Sequence, residues 1–206
     1  MDVAHPYTVI SPTLDAGVLT VLAGTTRPLT GREIARLLER PSHSGVLDAL
    51  NRLVEHGLVD REEAGRAFLF TLNREHLAAP AVDLLANLKS ELLERLRDTI
   101  DSWDIAPVHV SLFGSAARGE GDTKSDIDLL VVRPKKVDSE DPRWREQIDL
   151  LARQVQRWTG NRAGIAEIGK SALPRLRKEE APILAELRSD AITIAGPEIT
   201  NLLSGA

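Results

Sequence analysis

The chain has 206 residues, 42% of them hydrophobic and 28% charged, which is enough for one large domain or two small ones with real cores. It has no cysteine, which excludes disulfides and thiolate metal sites, and its formal charge of -5 argues against a protein that coats nucleic acid while leaving room for a local basic face. The N-terminus has neither the basic start nor the apolar core of a signal peptide, and no apolar run approaches a membrane span, so the expectation is a cytoplasmic protein with no membrane partner.

Residues 1–13 carry two prolines and no clear period, and read as a loop or loosely attached arm. From Leu14 the spacing of Leu14, Val18, Leu19 and Leu22 predicts a short helix closed by Gly24. Thr30-Gly31-Arg32-Glu33 is a capping box, so a second helix starts at Gly31 and runs to about Glu39. Ser42 caps a third, with Val46, Leu47, Leu50, Leu53 and Val54 on one face and Gly57 at its end. Two strands follow, 58–62 and 67–72, around a turn at Ala64-Gly65. Leu85, Leu88, Leu92, Leu96, Ile100 and Trp103 then predict one helix over 80–103. Such a helix either packs on a second copy of the chain, giving a homodimer, or bridges two domains; its direct run into the next strand favours the bridge. The domains expected are therefore 1–79 and 80–206.

The stretch from Leu112 to Val132, LFGSAARGEGDTKSDIDLLVV, organises the second half. Short apolar runs bounded by glycines predict two strands joined by a short helical or irregular connection. Asp126 and Asp128 stand two apart on a strand, so both carboxylates leave the same side of the sheet. Two like charges so placed are costly without a cation between them, and a hard cation such as Mg²⁺ takes one or two carboxylates plus substrate phosphates. Gly114-Ser115 supplies a turn where backbone can approach a phosphate. On the strand before it, 108–113, His109 reads as a packing residue, and no histidine pair in the chain has a metal-ligand spacing.

Asp141-Pro142 starts a helix that buries Trp144, Ile148, Leu151, Val155 and Trp158 and ends at Gly160. In the strand that follows, 162–168, Glu167 stands among Ile165, Ala166 and Ile168, and a carboxylate in apolar company needs a cation nearby. The tail predicts a helix from Ser171 through Lys178, another over 182–188 and an edge strand over 191–195. Its Lys170, Arg175, Arg177 and Lys178 read as a solvated cationic face.

The string FGSAARGE…SDIDLLVV resembles the signature of nucleotidyltransferases of the DNA polymerase beta superfamily, Gly-Ser, a spacer, then Asp-x-Asp, and looks most like their minimal nucleotidyltransferase branch. The resemblance implies an enzyme that moves a nucleoside monophosphate from a nucleoside triphosphate (NTP) to an acceptor hydroxyl and releases pyrophosphate. It implies Mg²⁺ ions, two of them, held by Asp126, Asp128 and Glu167, with Gly114 and Ser115 orienting phosphates and Arg118 a further phosphate contact. Glu167 matches the third carboxylate by order and context, where the superfamily has aspartate; the exchange leaves it as a working base, a weak metal ligand or a remnant of lost activity. Resemblance to minimal nucleotidyltransferases that modify HEPN toxins implies a protein tyrosine or serine as acceptor and a HEPN-type partner, with an RNA end or small molecule also open.

The phrase VLDALNRLVEHGLVDRE resembles the recognition helix and first wing strand of MarR-like and ArsR-like regulators, and the likeness covers residues 14–73. It implies a winged helix-turn-helix in which His43, Ser44, Asp48, Asn51 and Arg52 face DNA bases and Arg66 sits at the wing tip. Between Ser42 and Arg66, however, Arg52, Arg61 and Arg66 face Asp48, Glu55, Asp60, Glu62 and Glu63, a poor balance for gripping phosphates. A dimerisation or protein-docking platform is the other reading. The fold class expected is α+β: a winged helix domain followed by a small mixed-sheet nucleotidyltransferase-like domain with flanking helices. The competing functional reading is a DNA-binding regulator whose second half is catalytically silent, and an antitoxin-like enzyme repressing its own operon would combine the two.

Overall fold

The predicted capping box forms. Glu33 N donates to Thr30 Oγ1 at 3.3 Å, and Glu33 Oε2 accepts from Thr30 N at 2.8 Å. A cap of this kind is worth about 1 kcal/mol. Bonds from the Thr30 backbone, the Thr30 hydroxyl and Arg27 hold the Glu33 carboxyl down at about 2. The computed structural model describes residues 1–2, 6–9, 11, 13–38, 42–173 and 183–204. Among them the chain is mixed α+β and divides into two units, His5–Leu88 and Lys89–Ala206 with Met1–Ala4.

The first unit runs α1 (Leu14–Ala23), β1 (Leu29–Thr30), α2 (Gly31–Leu37), α3 (His43–Glu55), β2 (Val59–Ala64), β3 (Ala67–Leu72) and α4 (Ala79–Ala86). Ser42 Oγ caps α3 by accepting from Gly45 N at 3.1 Å. The strands pair antiparallel in the order β1-β3-β2. Val18, Leu22, Ile34, Val46, Leu50 and Phe70 close the core beneath them. This is the order and layering of a winged helix.

A single helix over 80–103 does not form. The first piece, α4, stops at Asn87, whose Nδ2 donates to Asp83 O at 2.8 Å, and α5 (Leu88–Asp101) starts afresh. The break has a packing reason. Val82 belongs to the winged-helix core, whereas Leu92, Leu96 and Ile100 belong to the core of the second unit.

The second unit continues with β4 (His109–Phe113), α6 (Gly114–Arg118), β5 (Ile127–Arg133), α7 (Pro142–Thr159), β6 (Ala163–Gly169), α8 (Ile183–Ser189), β7 (Ile192–Ala195) and α9 (Ile199–Ser204). Its four strands lie in the order β6-β5-β4-β7. Strands β5 and β6 are parallel and the other pairs antiparallel, so the sheet is mixed. Residues of alternate parity serve opposite faces. Val110, Leu112, Ile127, Leu129 and Val131 meet α5 and α7 through Leu96, Trp144, Leu151 and Val155. Phe113, Leu130 and Val132 meet Leu184, Leu187, Ile199 and Leu203 on the other face. Each such buried side chain contributes roughly 1.5–3 kcal/mol. The cationic residues Arg175, Arg177 and Lys178 lie outside the described residues, and among those described no helix is long and apolar enough to cross a membrane.

His109 is fully buried on β4. Its Nδ1 donates to Pro197 O at 2.8 Å, because a carbonyl can only accept, which leaves Nε2 an acceptor with no partner. Burial holds its pKa below the usual histidine range, against smaller opposing effects of the Pro197 bond and Glu198. The unfolded chain therefore binds a proton near pH ~6.5 that the folded chain refuses until lower pH. Stability will fall as pH drops below that point, by up to about 1.4 kcal/mol per pH unit. Urea unfolding between pH 7.5 and 5.5 will show this slope, and His109→Gln will flatten it; a variant with the wild-type slope would assign the dependence elsewhere.

Candidate active site

Asp128 lies on β5, an interior strand, directly opposite Phe113 on β4 and Gly164 on β6. Its carboxylate fills space that side chains would otherwise take on both flanks. A Cβ placed on Gly114 would come within 2.7 Å of Asp128 Oδ2, and one on Gly164 within 2.6 Å of Oδ1. Gly114 is also held at φ 69°, a left-handed conformation that favours glycine, at the point where β4 turns into α6. Gly164 is a position of the candidate site that the sequence reading missed. Only its register against Asp128 gives it meaning.

Asp126 stands just before β5, exposed, and its Cβ lies 3.8 Å from where a Cβ on Gly164 would be, so both aspartates occupy one face. Burial first, then the charges of Asp126 and Glu186, push the Asp128 carboxyl upward. That is the signature of a carboxylate lacking a counter-charge. A hard divalent cation fits this donor set. Among the described residues no three His, Asp or Glu side chains stand together as a metal site.

The loop before Asp126 is tied twice. Asp122 Oδ1 accepts from Lys124 N at 2.8 Å, Ser125 N at 2.9 Å and Ser125 Oγ at 2.9 Å, and these bonds lower its pKa. Buried Asn161 donates through Nδ2 to Asp122 O at 2.9 Å and Ser125 O at 2.8 Å. The Met1 amino group in turn donates to Asn161 Oδ1 and Thr159 O. Asn161 is a second position that sequence reasoning missed, since nothing local distinguishes it from a turn residue after Gly160.

The predicted set Asp126, Asp128 and Glu167 is not brought together. Glu167 pairs with Val131 in the β5–β6 register, so its side chain leaves the face opposite to Asp128. There Arg133 Nε donates to Glu167 Oε1 at 2.7 Å, and Arg145 Nη1 lies 3.6 Å from Oε2. The cation it needs is arginine. The charge of Glu186 of α8 adds to that of Asp126 at Asp128.

Arg118, expected at a phosphate, is occupied. Its Nε donates to Glu120 at 2.7 Å and its Nη1 to Asp190 at 2.9 Å, which ties α6 to the end of α8 and raises its pKa. Ser115, which follows Gly114 in α6, has its Oγ 3.4 Å from where a Cβ on Gly121 would be. Of the residues expected at DNA, Arg52 is held by Asp15 through two bonds of 3.1 and 2.9 Å. Ser44 shares a 3.2 Å bond with Ser42, and His43, Asn51 and Arg66 are exposed.

The nucleotidyltransferase domain family model matches residues 89–184. No curated protein matches the chain. Among solved structures, a mutant of Lactococcus lactis ZitR is similar at 25% identity with a TM-score of 0.33, over 43% of this chain and 60% of that one. The chain thus spans three fifths of that structure's length. Gly114, Asp126, Asp128 and Gly164 all lie inside the segment that matches the nucleotidyltransferase domain.

Proposed function

We propose that the second unit transfers a nucleoside monophosphate from an NTP to an acceptor hydroxyl, with Asp126 and Asp128 holding the divalent metal. The observation that carries this reading is the seating of Asp128 between Gly114 and Gly164, with Asp126 on the same face. When bound, Mg²⁺ supplies positive charge to the phosphate oxygens of an in-line displacement. Asp128, fixed by strand pairing on both sides, sets the position of the metal, and Asp126 adds the second carboxylate from the loop end. Gly114, lacking a Cβ, lets the Asp128 carboxylate sit against the turn where β4 enters α6, and Ser115 follows it at the start of α6, where a phosphate would approach. Glu167, turned to the opposite face of the sheet, takes no part in this pair.

The acceptor class follows from the resemblance alone: a protein hydroxyl, as on a HEPN-type partner, an RNA end or a small molecule. The winged helix is the module for a macromolecular partner, DNA or protein. Its poor charge balance and the engagement of Arg52 with Asp15 favour protein, a second copy of the chain included. One observation favours a silent, regulatory second unit: the carboxylate at the third position of the motif is engaged by Arg133 and Arg145.

Isothermal titration with ATP, GTP, CTP and UTP in Mg²⁺, beside an Asp126→Ala/Asp128→Ala variant, separates the two. Metal-dependent binding of at least one triphosphate, lost in the variant, is expected. A folded wild type that binds none would leave the regulatory reading in its place.

A further inference from the structure

A cleft of about 470 Å³ opens on the first unit between the start of α2, the start of α3 and the wing strand β3. Its size is that of a small-molecule site. Arg32, His43 and Arg66 line it together with Leu47, Phe68 and Phe70, and none of the lining residues is acidic. This is notable in a unit whose other arginines are largely committed. Arg27 pairs with Glu33, Arg52 with Asp15 and Arg74 with Asp83, while Arg61 lies over the Phe68 ring at 4.8 Å. Among the described residues, Arg32 and Arg66 have no such carboxylate. Glu33, the nearest acid in sequence, spends its oxygens on Thr30 and Arg27. Glu63, opposite Phe68 on β2, lies outside the lining.

We infer that this cleft binds a free nucleoside monophosphate. Two arginines lining one cleft from different elements suit a phosphate dianion better than a single carboxylate, because each guanidinium fork can donate two parallel hydrogen bonds. Phe68, 43% exposed with Arg61 over one side of its ring, is the aromatic group beside which a base can pack, while Leu47 and the buried Phe70 furnish an apolar wall. The site is separate from the aspartate pair and needs no metal. It also splits the residues expected to read DNA: His43 and Arg66 line the cleft, whereas Ser44, Asn51 and Arg52 do not.

The test is equilibrium titration of the full chain with AMP, GMP, CMP and UMP in EDTA. At least one is expected to bind, with affinity reduced tenfold or more in Arg32→Ala/Arg66→Ala and in Phe68→Ser. It should be unchanged in Asp126→Asn/Asp128→Asn and in Arg36→Ala, a surface arginine outside the cleft. Circular dichroism confirms that each variant is folded. Inorganic phosphate should compete only weakly; competition equal to the nucleotide would remove the base from the proposal. No binding in EDTA, or binding lost in the aspartate variant instead, overturns it. So does duplex DNA binding through Arg32 and Arg66 when no free nucleotide binds, since the cleft would then be part of a DNA surface.

Discussion

A Gly164→Ala chain will fold and lose metal-dependent nucleotide binding. The added methyl would stand 2.6 Å from Asp128 Oδ1, closer than a carbon can approach, so the carboxylate must turn or β6 must shift. Overpacking of this kind costs about 1–3 kcal/mol, a drop of a few degrees in Tm that leaves the fold intact. The chemistry suffers far more, because displacing a catalytic group by roughly 1 Å can cost about a hundredfold. Gly169→Ala, on the same strand, is the control. A Cβ there meets nothing closer than 3.6 Å, and it should behave as wild type. Titration and pyrophosphate release read the difference; if Gly164→Ala binds NTP as wild type does, the cradle is not part of the site.

Glu167→Gln will do the reverse. Glu167 and Arg133 are both largely buried, and removing one charge of such a pair leaves the other poorly solvated. Some solvent reaches both groups, so the expected cost is about 2–3 kcal/mol, below the full penalty of a sealed pair. Metal-dependent nucleotide binding should stay within about twofold, because the side chain faces α7 and not Asp128. Urea denaturation beside titration resolves the two quantities. A variant of normal stability that no longer binds metal and nucleotide would restore Glu167 to the site.

What the sequence makes legible is what is local. Thr30 and Glu33, three residues apart, announce their helix start, and so does Ser42. The strand, turn and aspartates from Leu112 to Val132 form one continuous string, so Gly114, Asp126 and Asp128 could be placed together. What stays hidden is set by partners distant in sequence. Arg52 meets Asp15 and Arg118 meets Asp190, and neither pairing leaves a trace in the spacing of the chain. Glu167 was expected with the aspartates because it matches the third carboxylate of the resembled superfamily by order and context, and an isolated acid among apolar residues signals a nearby cation but not which side of the sheet the cation is on. That side depends on the register of β5 against β6, and a shift of one residue would have turned Glu167 to the aspartates and Gly164 away. The stripe of leucines over 80–103 misled for a similar reason, since periodicity does not tell which core each turn serves.

The interior place of β5 bears on how a ligand would be met. Because β5 is hydrogen-bonded to β4 on one edge and β6 on the other, the backbone of Asp128 has little freedom left to surrender on binding. On the proposed function, the carboxylate that would anchor the metal is preorganised by folding itself. Whatever ordering entropy binding exacts must then fall on the approach side, at Ser115 and exposed Asp126. Substitutions near those two can tune affinity gradually, whereas changes along β5 will act on folding and binding at once.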